Sequence, residues 1–370
     1  MEDMPRAFIV TVALFAALAR PVAQKPPDIV LNTAACRDVV LGVVKAVNKY
    51  YLSAEVASRV EADLRGRLAR GEYDRITSAY ALMDTLDEHL ELASRDPHLK
   101  VGYSAEATPV VEGAEHRVES AEDREATRRA ARAANFGFEK AIRLAGNIGL
   151  LEIGSFQRPE FAGEMAGTAM AFLANTDAMI VDLRTSRGGS LDMVPYLASY
   201  FFGGEPFHLG DIYWHVENRP QQFWTVPYLP GGRYVDKDVY LLTSRNTFSA
   251  PEGLASFLQH HKRATVVGEP TPGGTHPGMM IKVHTNFSVF VPMGKPVYPS
   301  GQPTLVLGRW LYPSQIADDE GRGLVPDIAA PAFSALRVAH IDALTRKIKR
   351  QPELKDELEA IIARLKKQAG

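Results

Sequence analysis

The feature of this chain that most restricts its fold is an alternation of short apolar runs and helical runs after Asn147. Runs typical of strands lie at residues 148–153, 178–183, 239–243 and 265–267, with further β-like runs at 283–291 and 305–307. Runs typical of helices lie at 165–174, 191–202 and 253–261. Because strands that alternate with helices along a chain build α/β sheets, this part of the sequence predicts an α/β fold.

A different pattern precedes that region. Between Asn32 and Leu92 apolar residues recur at helical spacing in three successive stretches, which predicts a small helical bundle. We therefore predict a helical domain at 33–100, a linker or insert at 101–146 with a short helix at 121–134, and an α/β core at 147–335. A charged helical tail follows at 336–370.

The first residues carry the pattern of a secretory signal. An apolar run at 7–19 lies between Arg6 and Arg20 and is followed by small residues, as in a segment that is cleaved on export. The run is shorter than the roughly 20 residues that a membrane span needs. We predict a signal peptide at 1–24 and a secreted or periplasmic protein, with an uncleaved membrane anchor as the alternative. No later stretch predicts a membrane span.

Composition limits the partners and cofactors. The 370 residues carry a net charge of −2, which gives no indication of a nucleic-acid partner. Cys36 is the single cysteine, so no internal disulfide framework and no cysteine-rich metal site can form. The ten histidines show no spacing typical of metal ligands. We therefore expect neither a metal nor a cofactor, and the sequence leaves the oligomeric state open.

Ser249 stands where the strand-like run 239–243 gives way to the helical run 253–261. In open α/β sheets, ligands bind beyond the carboxyl ends of the strands. The first N–H groups of a helix have no partner within the helix, and such donors suit an oxyanion. The segment is also a capping box, because Glu252 follows Ser249 by three residues. Taken alone, it fits both a helix cap and a nucleophile.

Three other positions have similar alternatives. Gly188 and Gly189 follow a strand-like run and could present N–H groups to a ligand, or form an ordinary glycine-rich turn. His98, in a segment broken by Pro97, could act as a general base, or be a structural histidine. Glu320 could orient a histidine, or be a solvated turn acid.

Together these segments resemble the tail-specific (C-terminal-processing) and tricorn-type serine peptidases. The resemblance rests on DLRTSRGG at 182–189, TFSAPE at 247–252, RATVVGE at 263–269, GGTHP at 273–277 and GRGLVPDI at 321–328. The helical N-terminal part and DPHL at 96–99 resemble the branch that includes interphotoreceptor retinoid-binding protein modules. The similarity covers roughly residues 33–335, in the family's order.

The resemblance implies a crotonase-like ββα core and a hydrolase that acts on peptides or proteins. In that family's pattern Ser249 matches the nucleophile, His98 the base and Glu320 the acid that orients it. Ala250 and the Gly188–Gly189 pair match the suppliers of the oxyanion N–H groups. Glu252 matches a helix acid near the nucleophile.

The chain departs from the family pattern in three places. Gly274 stands where the Ser/Lys branch has its lysine, so a Ser-His-Glu arrangement is the better match. The segment from His98 to Asn147 is too short for the PDZ domain that many relatives carry, which leaves substrate specificity and the choice of endo- or carboxy-terminal cleavage open. Ser186 stands where the family often has asparagine.

Two alternatives remain open from the sequence. His276, in the glycine-rich segment after residues 263–269, is a rival base that could reach the same pocket. The chain could also be a binding module without turnover for retinoid-like or lipid-like ligands. Its aromatic residues could line an apolar pocket or simply pack the core; they are Phe156, Phe161, Phe172, Tyr196, Tyr200, Phe201 and Phe202.

Overall fold

The structure is a computed structural model that describes residues 26–108, 110, 120–299, 304–306, 309–311, 314–316 and 321–367. The signal peptide at 1–24 lies outside the described residues and stays a prediction. None of the helices within these ranges is both long and apolar enough to cross a membrane.

Three helices begin the described chain, each capped by a polar side chain. Asn32, Ser53 and Ser78 accept hydrogen bonds from backbone N–H groups of the first helical turns, which otherwise lack partners. The elements are α1 (Thr33–Tyr50), α2 (Ala54–Ala69), α3 (Ala79–Ser94), β1 (Lys100–Tyr103) and α4 (Ala121–Ala133). The N-terminal helical region that the sequence predicts is therefore confirmed.

Strands and helices then alternate up to the C-terminal helices. They are β2 (Phe138–Leu144), β3 (Ile148–Ile153), α5 (Pro159–Leu173), β4 (Ala178–Asp182), α6 (Met193–Ala198), β5 (His208–Trp214), β6 (Arg219–Trp224), β7 (Asp238–Thr243), α7 (Ala250–His260), β8 (Thr265–Gly268), β9 (Gly278–His284), β10 (Phe287–Pro292), β11 (Gly294–Pro299), β12 (Thr304–Val306), β13 (Arg309–Leu311), β14 (Ser314–Ile316), β15 (Ile328–Ala329), α8 (Ala332–Arg350) and α9 (Lys355–Lys367).

A six-stranded sheet in the order β15-β8-β7-β4-β3-β2 forms the centre of the α/β region. β2 pairs antiparallel with β3, and all other neighbours are parallel. Alternate residues of β7 face opposite sides: Leu241 lies in the core beneath α5, α6 and α7, whereas Tyr240 and Leu242 lie in the core beneath α8 and α9. Both faces are buried, as expected for parallel strands. The α/β fold class is confirmed.

A third core joins the N-terminal helices to a distant part of the chain. β1 pairs with β10, and β10 pairs with β9. α1 packs on β9 so closely that a Cβ at Gly42 would lie 2.6 Å from the Val283 carbonyl oxygen. The buried side chains Phe287, Val289 and Val291 belong to the same core as the helices.

The range 101–146 contains more regular structure than a linker. It holds α4 at the predicted position, and it also holds β2, which forms one edge of the central sheet. Most side chains of β2 are exposed or half-buried. The sequence of β2 therefore lacks the apolar run from which the neighbouring strands can be predicted. The domain bounds themselves stay a prediction.

Candidate active site

Ser249 occupies a sharp turn between β7 and α7. Its backbone has φ 64° and ψ −127°, a left-handed conformation that residues with side chains adopt rarely. Such conformations cost on the order of 1–3 kcal/mol and occur preferentially at functional sites. A helix cap normally has an extended backbone, as Asn32 and Ser78 have here. The strain at Ser249 is therefore more than capping requires.

Glu252 stabilises this turn by accepting hydrogen bonds from backbone N–H groups. Its buried carboxylate accepts the N–H of Ser249 at 2.7 Å, the N–H of Gly273 at 2.8 Å and the N–H of Gly274 at 2.9 Å. The capping contact predicted for Glu252 is present, and the same carboxylate also fixes the loop after β8. With three donors satisfying it, Glu252 is suited to positioning the turn rather than to proton transfer.

Gly188 and Gly189 follow β4 and lie against the Ser249 turn. A Cβ at Gly188 would lie 3.4 Å from Cβ and 3.8 Å from Oγ of Ser249. Gly189 packs against the backbone of Phe156. A Cβ added to Gly189 would lie 1.9 Å from the Phe156 carbonyl oxygen, which is too close for any side chain. With φ values of 123° and 137°, both positions require glycine. The structure thus brings this glycine pair and the serine together.

Side chains also tie the two loops to each other. Because β4 and β7 are parallel neighbours, the loops that follow them leave the sheet side by side. Three hydrogen bonds, buried or partly buried, join the loops. Ser244 Oγ donates to the Arg184 carbonyl at 2.6 Å, Thr247 Oγ1 to the Leu183 carbonyl at 2.9 Å, and the Phe248 N–H to the Ser186 carbonyl at 3.0 Å.

His98 reaches this centre from the segment between α3 and β1. His98 is only 7% exposed. The centroid of its ring lies 4.4 Å from that of Phe248 and 5.3 Å from that of Phe290, on which it stacks. Burial lowers the pKa of His98, and the negative charges of Asp96 and Glu252 oppose that shift. A histidine with a lowered pKa is neutral near pH 7, the form that a general base needs. His98 thus contacts the residue that precedes Ser249.

His276 and Asp96 complete the buried polar cluster. His276 Nδ1 lies 3.8 Å from Asp96 Oδ2, and both side chains are buried. The sequence analysis assigns no role to Asp96. A signal was available, because an aspartate two residues before His98 can accept the N–H of that residue, as Asp96 Oδ1 does at 2.8 Å.

Glu320 lies outside the described residues, so its role stays a prediction. Its neighbour Gly321 donates its N–H to the Gly273 carbonyl at 2.8 Å. A Cβ at Gly321 would lie 3.3 Å from the carbonyl oxygen of Arg95. Gly321 therefore lies beside the segment that carries Asp96 and His98.

Most of the aromatic residues considered for an apolar pocket pack the core. Phe156, Tyr200, Phe201 and Phe202 are buried in the core beneath α5, α6 and α7. Phe172 is 64% exposed on the surface, whereas Phe161 borders an open cavity of about 580 Å³ beside α4 and α5. Within the described ranges, no cluster of three or more histidine, cysteine, aspartate or glutamate side chains could hold a metal ion.

Comparisons with known proteins agree with these features. Residues 147–308 match the model of peptidase family S41. Residues 23–133 match the N-terminal domain of that family in eukaryotic interphotoreceptor retinoid-binding protein. Both matches lie in the order that the motifs predict.

Solved structures show the same fold at low identity. A candidate peptidase from Parabacteroides merdae is 18% identical, with a TM-score of 0.50 over 80% of this chain and 90% of that chain. A lipoprotein from Streptococcus agalactiae is 14% identical, with a TM-score of 0.51 over 86% of this chain and 99% of that chain.

Proposed function

We propose that this chain, which belongs to peptidase family S41, hydrolyses peptide bonds with Ser249 as its nucleophile. The family makes it a serine peptidase, a hydrolase whose substrates are peptides or proteins. The observation that carries the assignment of Ser249 is its strained turn, packed against Gly188 and adjacent to the ring contact between Phe248 and His98.

In the proposed reaction, Ser249 Oγ attacks the carbonyl carbon of the scissile bond and its proton passes to His98. The N–H of Ala250 and that of Gly188 or Gly189 bind the oxyanion, each donor being worth roughly 10²–10³ in rate. His98 then gives the proton to the leaving amine, which departs and leaves an acyl-enzyme. Water, activated by the same imidazole, releases the second product and restores Ser249.

His98 is the better candidate for the base, with Glu320 as the acid that orients it. The ring of His98 touches Phe248, the residue directly before the nucleophile. Its lowered pKa keeps it unprotonated near neutrality. His276 remains the rival, because it lies in the same buried cluster.

Replacing the nucleophile tests the proposal directly. Ser249→Ala should abolish both peptide hydrolysis and labelling by a fluorophosphonate probe, because no hydroxyl remains to attack, while circular dichroism stays unchanged. Ser256→Ala, on the same helix, is the matched control and should label normally. Hydrolysis that survives in Ser249→Ala would rule out this mechanism.

The two histidines are separated by their pH–rate profiles. His98→Ala should lose the acid limb of kcat/KM and about 10²–10⁴ in rate, the usual contribution of a positioned base. His276→Ala should retain that limb. The assignment of the base would be reversed if only His276→Ala lost it.

A binding module for hydrophobic ligands is the alternative, and the burial of most candidate aromatic residues in the core speaks against it. Absence of fluorophosphonate labelling in a folded protein that binds lipid tightly would favour that function instead.

A further inference from the structure

A buried carboxylate that the proposed mechanism does not use lies against both histidines. Asp96, only 1% exposed, accepts the N–H of His98 at Oδ1 at 2.8 Å. Its Oδ2 accepts the hydroxyl of Tyr51 at 2.7 Å and lies 3.8 Å from His276 Nδ1. One side chain thus contacts the N-terminal helical region, the proposed base and its rival.

We propose that Asp96 is a positioning residue of the active site, which fixes the His98 loop and supplies the negative charge that stabilises the imidazolium formed during the reaction. The inference rests on the proposed function, since it assumes a histidine base. Asp96 acts through the histidines, and the substrate need not touch it.

Asp96 carries a charge that its contact with the backbone of His98 does not require. The bond to the N–H of His98 could equally be made by an asparagine, since both residue types accept such bonds. A buried carboxylate costs more free energy than a buried amide unless something compensates its charge. Tyr51 donates one hydrogen bond, and a protonated imidazole would supply the opposite charge.

The surroundings of His98 contain few charges that could stabilise an imidazolium. Phe248 and Phe290 cover its ring and supply no charge. Among the described groups, Asp96 from its own loop and Glu252 from α7 act on its charge, and burial opposes them. His276 adds a titratable neighbour to Asp96. Both carboxylates accept hydrogen bonds, but the charge of Asp96 opposes the lowering of the His98 pKa more strongly than the charge of Glu252 does.

The test is Asp96→Asn, which keeps the shape and an acceptor oxygen but removes the charge. Without that charge, burial acts on His98 with less opposition, so its pKa should fall. NMR titration of the imidazole should show a lower midpoint for His98, and the acid limb of kcat/KM should move to lower pH. We expect kcat to fall about 10- to 100-fold, part of the roughly 10²–10⁴ that a general base supplies.

Asp87→Asn is the matched control. Asp87 also accepts a backbone N–H, that of Val101 at 2.6 Å, but it is not among the charges that act on His98. This variant should leave both the His98 titration and the acid limb in place. If Asp96→Asn behaves in the same way, Asp96 is only a loop cap and the proposal is overturned.

Tyr51→Phe provides a second variant in case Asp96→Asn does not fold. Removing the Tyr51 hydroxyl leaves the Asp96 carboxylate less compensated, so the His98 midpoint should rise rather than fall. An unchanged midpoint would contradict the proposal. These titrations need no turnover, so a protein that the fluorophosphonate probe never labels would refute the proposed function without deciding the role of Asp96.

Discussion

At the scale of single residues, the candidate site depends on backbone conformations that side chains normally avoid. Ser249 adopts a left-handed conformation, and Gly188 faces it with φ 123°. An added Cβ at Gly188 would lie 3.4 Å from Ser249 Cβ, which is an ordinary van der Waals contact, so the positive φ and not a clash requires glycine here. In the proposed mechanism the substrate carbonyl lies beside Ser249 Oγ, and a methyl group on residue 188 would occupy space 3.8 Å from that oxygen.

Gly188→Ala should damage catalysis more than folding. The new methyl group makes only a van der Waals contact with Ser249, but the φ of 123° is strained for any residue with a Cβ, at a cost of roughly 1–3 kcal/mol. Displacing one oxyanion donor should lower kcat by about 10²–10³. Single-turnover acylation and urea unfolding measure the two effects separately.

Gly203→Ala is the control for that prediction, because a Cβ there meets no atom within 4 Å. Its acylation rate and its unfolding midpoint should stay close to those of the parent. A Gly188→Ala enzyme that acylates at the parent rate would show that this glycine takes no part in the oxyanion site.

The residues of the site differ in how far the sequence could reveal them. Ser249, Gly188 and Gly189 lie in loops that follow parallel strands, so the order of strands and helices already predicts their common edge. The meeting of Asp96 with His276 joins positions 180 residues apart, and nothing local to either segment encodes it. The sequence therefore predicts a role for His98 but none for Asp96, two residues earlier.

At the scale of elements, strands buried on both faces were predictable and exposed strands were not. β3, β4, β7 and β8 carry continuous apolar runs because helices cover both sides of the sheet. β6 exposes four of its six side chains, so its sequence shows little hydrophobic pattern. The strand forms because it pairs with β5. The sequence does not predict β2 either, because most of its side chains are also exposed or half-buried.

Helix ends show a related limit. The sequence predicts a helix at 253–261, whereas α7 begins at Ala250. Pro251 supplies a φ angle suited to the first turn of a helix, and Glu252 bonds back to the Ser249 N–H. These local signals predict a cap, but the strained conformation of Ser249 depends on contacts with the neighbouring loop.

At the scale of the whole molecule, His98 lies where two separately packed regions meet. Its loop follows α3, whose core includes strands β9 and β10, while Phe248 belongs to the loop that leads into α7. Phe290 of β10 stacks on the same imidazole. The position of the proposed base relative to Ser249 therefore depends on how the helical region packs on a distant hairpin.

Phe287→Ala should loosen the helical region selectively. Phe287 is fully buried in that core and its ring packs 5.5 Å from that of Tyr103, so its loss should cost about 3–5 kcal/mol. Hydrogen exchange should accelerate mainly in residues 33–94 and 278–292, with lower hydrolytic activity because His98 loses its support. Leu344 lies in α8 and is fully buried on the far face of the central sheet. Leu344→Ala should instead accelerate exchange in residues 148–182 and 332–350. If both variants instead speed exchange equally throughout the chain, the cores unfold as one cooperative unit. In that case the helical region has no separate stability, and it could not set the position of His98 independently of the central sheet.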